Sequence, residues 1–412
     1  MHLLHLSNKY NAPNICYITK HELTLLVLQD MMFLAFKLLK ARAIISTNMK
    51  GGTQKMKKRL AKILGIVLAG TLLAGCGVTA NGGNSSAPSA SEPAAEATQA
   101  EEATSNYDDV KAEVTLRLSH QMAEEHSINK TALEFARLVK EKSEGKMEVD
   151  VYPSATLGTE AENLQALTNG TLDMGIIAAE FYANYVPEAG ILCLPYMYED
   201  YQDCFDKLAG EPGSKVADLI LAQTDVKVLD YYTLAFRQVF TVDKEIHSVD
   251  DMKGLIIRIP DSQTYKTTFE QLGAAPTPVA WGETYTALDT GVVAAVENIP
   301  ESILSASIQE VCKNVNVTNH IIAPTTFSIS NKVFSKLTEE QQNILLEAAH
   351  EASLFGFNAT VSNSDANFNA LSEAGLNVIE TDVDSFKNAI DYSAYEATKS
   401  DAGKEIIAAM GK

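Results

Sequence analysis

The chain has one tryptophan and five cysteines in 412 residues. So few cysteines exclude a disulfide-stapled scaffold, and the spacings of Cys16, Cys76, Cys193, Cys204 and Cys312 match no zinc or redox motif. HExxH, Gly-x-Ser-x-Gly, P-loop and dinucleotide-binding motifs are all missing, so the motifs point to no enzyme class, metal or cofactor. Long apolar runs are missing too. The stretch from Leu23 to Leu39 is broken by Asp30 and Lys37, and Ile63 to Leu72 is too short to span a bilayer. Residues 1–55 therefore read as an upstream segment outside the fold. The alternative is a second membrane segment, which Asp30 makes expensive.

Basic residues are scarce, 33 Lys+Arg against 53 Asp+Glu, for a net charge of −20. They are also unevenly placed. Residues 1–75 hold 11 of the basic and 2 of the acidic residues, leaving 22 against 51 beyond them, or −29. Such a balance excludes nucleic acid and an anionic lipid surface as direct partners. An acidic protein holds an anion only through locally placed cations, so its few arginines in apolar surroundings become informative.

What is present begins at Met56. Lys57, Lys58, Arg59 and Lys62 form a basic n-region, Ile63 to Leu72 an apolar h-region, and Leu73-Ala74-Gly75-Cys76 follows. This resembles a bacterial lipobox. It implies lipidation of Cys76, cleavage before it (signal peptide 56–75) and a place on the outer face of the cell membrane. Residues 76–112 are rich in Ala, Ser, Gly, Pro and Glu and read as a flexible tether.

From Glu113 strand and helix patterns alternate, which indicates an α/β protein with mostly parallel sheets. Glu113–Ser119 is the first strand. Ser127 is placed as the cap of a helix over Asn129–Lys142, Lys146–Tyr152 is the second strand, and Asp173–Ala178 the third. The loops at the strand ends, His120–His126, Leu157–Glu160 and Ala179–Tyr182, converge. Val226–Tyr232 and Leu234–Thr241 read as two further strands, and Thr338 opens a helical pattern reaching about Ala374.

The stretch Gly254–Pro300 organises the rest. Leu255–Ile259 is an apolar run with Arg258 inside it, and Gly291–Val296 is a second apolar run, followed by Asn298. Trp281 sits on the loop between. A guanidinium inside a buried strand must be paired or face a cavity, and open α/β sheets bind ligands at the carboxyl ends of their strands.

GLIIRIPDS, LGAAPTPV, ETYTALDTGVV and ENIP, in this order and spacing, resemble the solute-binding subunit of tripartite ATP-independent periplasmic (TRAP) transporters, dicarboxylate-binding type. The resemblance runs from about Val114 to the C-terminus. It implies a two-lobed, monomeric periplasmic-binding-protein-like receptor with a sheet in each lobe and a long bridging helix. Residues 113–234 with about 324–360 would form one lobe, and 235–323 with about 361–412 the other. The implied ligand is a small organic acid anion, a C4-dicarboxylate or a sugar acid, and the implied partners are the large and small permease subunits.

Residue by residue, the resemblance puts Arg258 on the substrate carboxylate, Asn298 beside it, Trp281 on the ligand's apolar face and Arg237 as a second arginine reaching the substrate. Glu180, Phe181 and Tyr182 sit where the family places ligand-facing residues, and His126 is a further candidate. The bland readings are ion pairs for both arginines, a helix cap for Asn298, core roles for Trp281, Phe181 and Tyr182, and a surface loop for His126. A sensor for a membrane kinase and an exported enzyme are the alternative functions.

Overall fold

The computed structural model describes Tyr107 and residues 110–412. Cys16, the signal-peptide pattern, Cys76 and most of the proposed tether lie outside the described residues.

Nine strands join into one ladder: β1 (Val114–Ser119), β2 (Met147–Tyr152), β3 (Met174–Ala178), β4 (Val226–Thr241), β5 (Ile256–Ile259), β6 (Ala275–Pro278), β7 (Ala295–Asn298), β8 (Asn314–Ser330) and β9 (Asn377–Glu380). Their order is β2-β1-β3-β8-β4-β7-β5-β6, with β9 beside β8. Strands β1–β3 are parallel to one another and so are β5–β7, whereas β4 and β8 pair antiparallel with each other and with their inner neighbours. The expected α/β class and the mostly parallel pairing are present, within a mixed sheet.

One strand expectation is corrected. Val226–Tyr232 and Leu234–Thr241 form a single strand of 16 residues, β4, paired along its length with the 17-residue β8. The join is irregular. The register shifts between Thr233 and Phe236 and again between Arg237 and Val239, and Pro324 of β8 stands opposite Thr233. Proline brings no N–H to the ladder, so the chain bends there without leaving the sheet.

Three helices matter for the site. α1 (Ser127–Lys142) covers β1 and β2, α2 (Glu160–Asn169) follows β2, and α3 (Pro300–Ser305) follows β7. The cap of α1 is His126, not Ser127. Its Nδ1 accepts from the Ile128 N–H at 3.0 Å. α2 opens on a Thr159–Glu162 capping box, whose reciprocal bonds satisfy otherwise orphaned N–H groups.

The long helical pattern is one helix, α4 (Glu339–Glu373), of 35 residues, capped by a Thr338–Gln341 box. At 1.5 Å per residue it is about 52 Å long. Leu345, Ala348, Ala349 and Ala352 pack into the core around β1–β3, and Leu371 packs into the core around Phe240, Leu288 and Val296. The helix therefore spans both ends of the sheet. Its buried side is lined by small residues, which bring its backbone close to α1 and β4. A Cβ on Gly356 would lie 2.9 Å from Thr131 Oγ1 and 3.2 Å from Tyr232 Cδ2.

Overpacking a closed contact costs about 1–3 kcal/mol. Gly356→Leu should lower the unfolding free energy, and with it the urea midpoint, by that cost, whereas the same change at exposed Gly282, whose Cβ would meet nothing within 4 Å, should not. Equal midpoints for the two variants would refute the close packing of α4.

Candidate functional site

The carboxyl ends of β1, β3, β5 and β7 converge on one cavity. It is lined by His120 and Gln121 after β1, Glu160 of α2, Glu180 and Phe181 after β3, Arg237 of β4, Arg258 of β5, Trp281, Asn298 of β7 and Ser302 of α3. The enclosed space is small, 40 Å³, and it adjoins an outer recess of 310 Å³ that shares Gln121, Glu160, Phe181, Arg258 and Trp281. Groups from both halves of the sheet close over it.

The two arginines have opposite surroundings. Arg237 Nε lies 2.5 Å from Glu297 Oε2 and its Nη2 lies 2.7 Å from Oε1, a two-point contact. Both residues are buried. Burial alone would lower the Arg237 pKa, but Glu297 more than offsets it, and the net shift is upward. Glu297 is raised by burial and lowered further by Arg237, so it stays ionised. His320 Nε2 approaches the same carboxylate at 3.4 Å, while its Nδ1 lies 2.8 Å from Thr318 Oγ1. Tyr265 lies against the Arg237 guanidinium at 5.1 Å.

Arg258 is equally buried but has no carboxylate within 4 Å among the described residues. Its Nε donates to Val279 O at 2.9 Å, and its guanidinium lies 5.4 Å from the Trp281 ring centre. Burial pulls its pKa down to about 10, with Glu297 opposing and the Arg237 charge adding. It remains a cation at neutral pH, aimed into the cavity with both terminal nitrogens uncommitted to a carboxylate. Asn298 Oδ1 accepts from the Ile299 N–H at 2.8 Å, which turns its amide NH₂ elsewhere. The helix that follows is capped by Ile299, not by an Asn298 side chain.

Two acids line the other wall. Glu160 accepts from Gln121 Nε2 and from the Ala178 N–H. Burial, then the nearby Glu180 charge, push its pKa up to about 8. Glu180 stands 3.9 Å from Arg237 Nη1 and 3.9 Å from Cys193 Sγ. Burial raises its pKa as well, against the pull of Arg237.

Of the residues singled out in the sequence, Arg258, Arg237, Asn298, Trp281, Glu180 and Phe181 come together here. His126 does not. It is fully buried rather than on a surface loop, it caps α1, and its Nε2 lies 3.1 Å from Ser302 Oγ. Beside it Ser127 Oγ donates to Glu301 Oε2 at 2.6 Å. The pair clasps α1 to α3 behind the cavity. Tyr182 points away, with its hydroxyl 2.7 Å from Ser328 Oγ. Arg237 makes a buried ion pair, not a surface one. A 193–204 disulfide is not formed, and both thiols are buried and free.

Sequence reasoning did not single out His120, Gln121, Glu160, Glu297, Ser302 or His320. The first three lie at the ends of loops whose convergence was legible. Glu297 precedes Asn298 in the ENIP motif, and its burial could have been suspected from the apolar run before it. His320 carried no signal. Among the described residues no His/Cys/Asp/Glu group is arranged to hold a metal, and no helix is long and apolar enough to cross a membrane.

A pKa raised from 4.5 to about 8 means that folded Glu160 holds its proton more tightly than the unfolded chain does. That stabilisation is complete below pH 4.5 and is lost as pH rises towards about 8. Glu160 faces Gln121, the Ala178 N–H and, at longer range, Glu180 and Arg237. The melting temperature of the unliganded protein should therefore fall across this range, and Glu160→Gln should flatten the slope. An unchanged slope in the variant would assign the dependence elsewhere.

Residues 118–399 match the family model described as DctP, bacterial extracellular solute-binding protein, family 7. A solute-binding protein of Roseobacter denitrificans is 28% identical over 294 residues, covering 71% of this chain and 89% of that one. Its crystal structure with bound L-galactonate superposes with a TM-score of 0.68 over 73% of this chain and 99% of that chain. The sialic acid-binding periplasmic protein SiaP of Vibrio cholerae is 29% identical over 304 residues, 73% of this chain and 93% of that one. A TRAP periplasmic solute-binding protein of Bradyrhizobium, solved with D-galacturonate, gives a TM-score of 0.69 at 28% identity over 72% of this chain and 100% of that one. With its parallel strand ends closing on a buried, unpaired arginine and a family match over most of its length, the chain belongs to bacterial extracellular solute-binding protein family 7, the solute-binding proteins of TRAP transporters.

Proposed function

We propose that this protein is an extracytoplasmic receptor that captures a sugar acid through Arg258 and delivers it to a TRAP permease made of a large and a small membrane subunit. One observation carries the reading: Arg258 is a desolvated cation facing the cavity, with no carboxylate within 4 Å among the described residues. An unpaired buried guanidinium is costly, and a ligand carboxylate supplies what is missing through two parallel hydrogen bonds. The Asn298 amide donates to the same carboxylate, Trp281 and Phe181 cover the apolar faces of the ligand, and Gln121 and Ser302 meet its hydroxyls. Arg237 contributes less to the ligand than the resemblance implied, because Glu297 occupies its two-point face. Relatives crystallised with L-galactonate and D-galacturonate favour a hydroxyl-rich acid over a plain dicarboxylate.

The lobe limits stated above belong to the same proposal, with closure about the irregular join of β4 and β8. So do the monomeric state and the anchor. Lipid on Cys76 and a tether to about residue 112 would hold the receptor at the outer face of the membrane.

Charge-assisted hydrogen bonds contribute about 1.5–3 kcal/mol each, so Arg258→Ala should weaken sugar-acid binding about 10³-fold or more by calorimetry. Arg258→Lys keeps the charge but not the fork and should lose about tenfold to a hundredfold. Neither change strands a buried acid, so the unliganded melting temperature should hold or rise. Wild-type affinity in Arg258→Ala would remove this residue from the site. Unfolding of that variant would make Arg258 structural.

Expressed from Met56, the protein should fractionate with the membrane, and globomycin should block its processing. Cys76→Ser should abolish both behaviours. Normal processing and membrane retention of the variant would refute the anchor.

A further inference from the structure

The cavity holds more buried acid than a receptor for anions needs. Glu160, Glu180 and Glu297 are each at most 5% exposed, and the first two line the cavity directly. Against them stand two guanidiniums, and these are not equivalent. Arg237 is engaged at two points by Glu297 and is also 3.9 Å from Glu180. Arg258 alone is uncommitted. The remaining cavity-facing polar groups, Gln121, Asn298, Ser302 and Thr325, are neutral. His120 adds no cation, since burial pushes its pKa down to about 4.

We infer that Glu160 and Glu180 act as a charge filter that admits ligands with one carboxylate and rejects dicarboxylates. The inference rests on the proposed reading of Arg258 as the carboxylate anchor. With one carboxylate on Arg258, the far end of a sugar-acid-sized ligand meets the wall of Glu160, Glu180 and neutral hydrogen-bonding groups. A hydroxyl there finds both donors and acceptors. A second carboxylate finds two acids and only Arg237, which Glu297 already engages at two points. It would be buried unpaired if the acids are protonated, or beside like charge if they are not, and either state is strongly disfavoured. The Cys193 thiol and the Arg237 edge each lie 3.9 Å from the Glu180 carboxyl, and the Ala178 N–H and Gln121 donate to that of Glu160. Two hydrogen bonds keep the Glu160 carboxyl against this wall. Specificity here is built by what is excluded, as well as by what is bound.

The test compares acids that differ only in their far end. Galactonate and gluconate are titrated calorimetrically into the wild-type protein, each beside the dicarboxylate of the same carbon skeleton, galactarate and glucarate. For at least one pair the monocarboxylate should bind about 30-fold tighter or more. Glu180→Gln and Glu160→Gln should each narrow that ratio by about tenfold, whatever they do to the affinities separately. The ratio is the readout because a merely structural role would weaken both ligands alike. A wild-type ratio below about 30-fold in every pair that binds, or an unchanged ratio in both variants, would overturn the filter while leaving the receptor reading intact. Should one variant fail to fold, the other and the wild-type ratio still decide. If none of the four acids binds, the sugar-acid reading itself falls and takes the filter with it.

Discussion

The buried pair Arg237–Glu297 sets the electrostatics of the whole cleft. It lies where β4 pairs antiparallel with β7, with Val239 opposite Glu297 and Gln238 opposite Asn298. Removing either partner would leave a charge in a water-free interior, which is far more costly than keeping the pair. The pair thus ties the strand that crosses between the lobes to the strand that presents Asn298. It also leaves the neighbouring Arg258 without an acid of its own. Two arginines of similar burial therefore have different roles, and the difference lies in where the acid is.

The framework that delivers these groups is made of long elements. β4, β8 and α4 each reach both halves of the sheet, so both halves of the site hang from the same three pieces. The register breaks of β4 and Pro324 of β8 sit at the middle of this frame. The clasp of His126 and Ser127 on Ser302 and Glu301 crosses the cleft on the far side of the cavity. An irregular middle and a polar clasp behind the cavity are the features on which the proposed closure rests.

The charge balance follows the same division. Beyond residue 75 the chain carries 29 more acids than bases, a surface that repels anions. Most ion pairs among the described residues are exposed and contribute little to stability, as with Lys313–Asp243 and Lys404–Asp401. Inside, one guanidinium with no carboxylate within 4 Å among the described residues can attract an anion locally, because a buried charge is screened less by salt and water. The instability of an unpaired buried cation is the kind of local cost that binding sites carry.

Much of this was legible in the sequence by itself. Strand and helix alternation, the Thr338-capped long helix, and a buried strand carrying Arg258 all follow from periodicity and from glycine and proline punctuation. These signals are local, and local burial patterns determine local structure. The order ENIP after an apolar run placed Asn298 at a strand end for the same reason. What only the tertiary structure decided is pairing. Nothing near Arg237 in the chain announces Glu297, 60 residues away, and nothing near Arg258 announces that it has no partner. Glu160 reads as the start of an ordinary helix until β3 brings the Ala178 N–H and Glu180 beside it. His126 reads as a loop residue until α3 covers it. The fusion of two strands into β4 depended on β8 supplying hydrogen bonds across the irregularity at Thr233. Partnership between distant groups is a property of the folded sheet, and a chain read in order does not contain it.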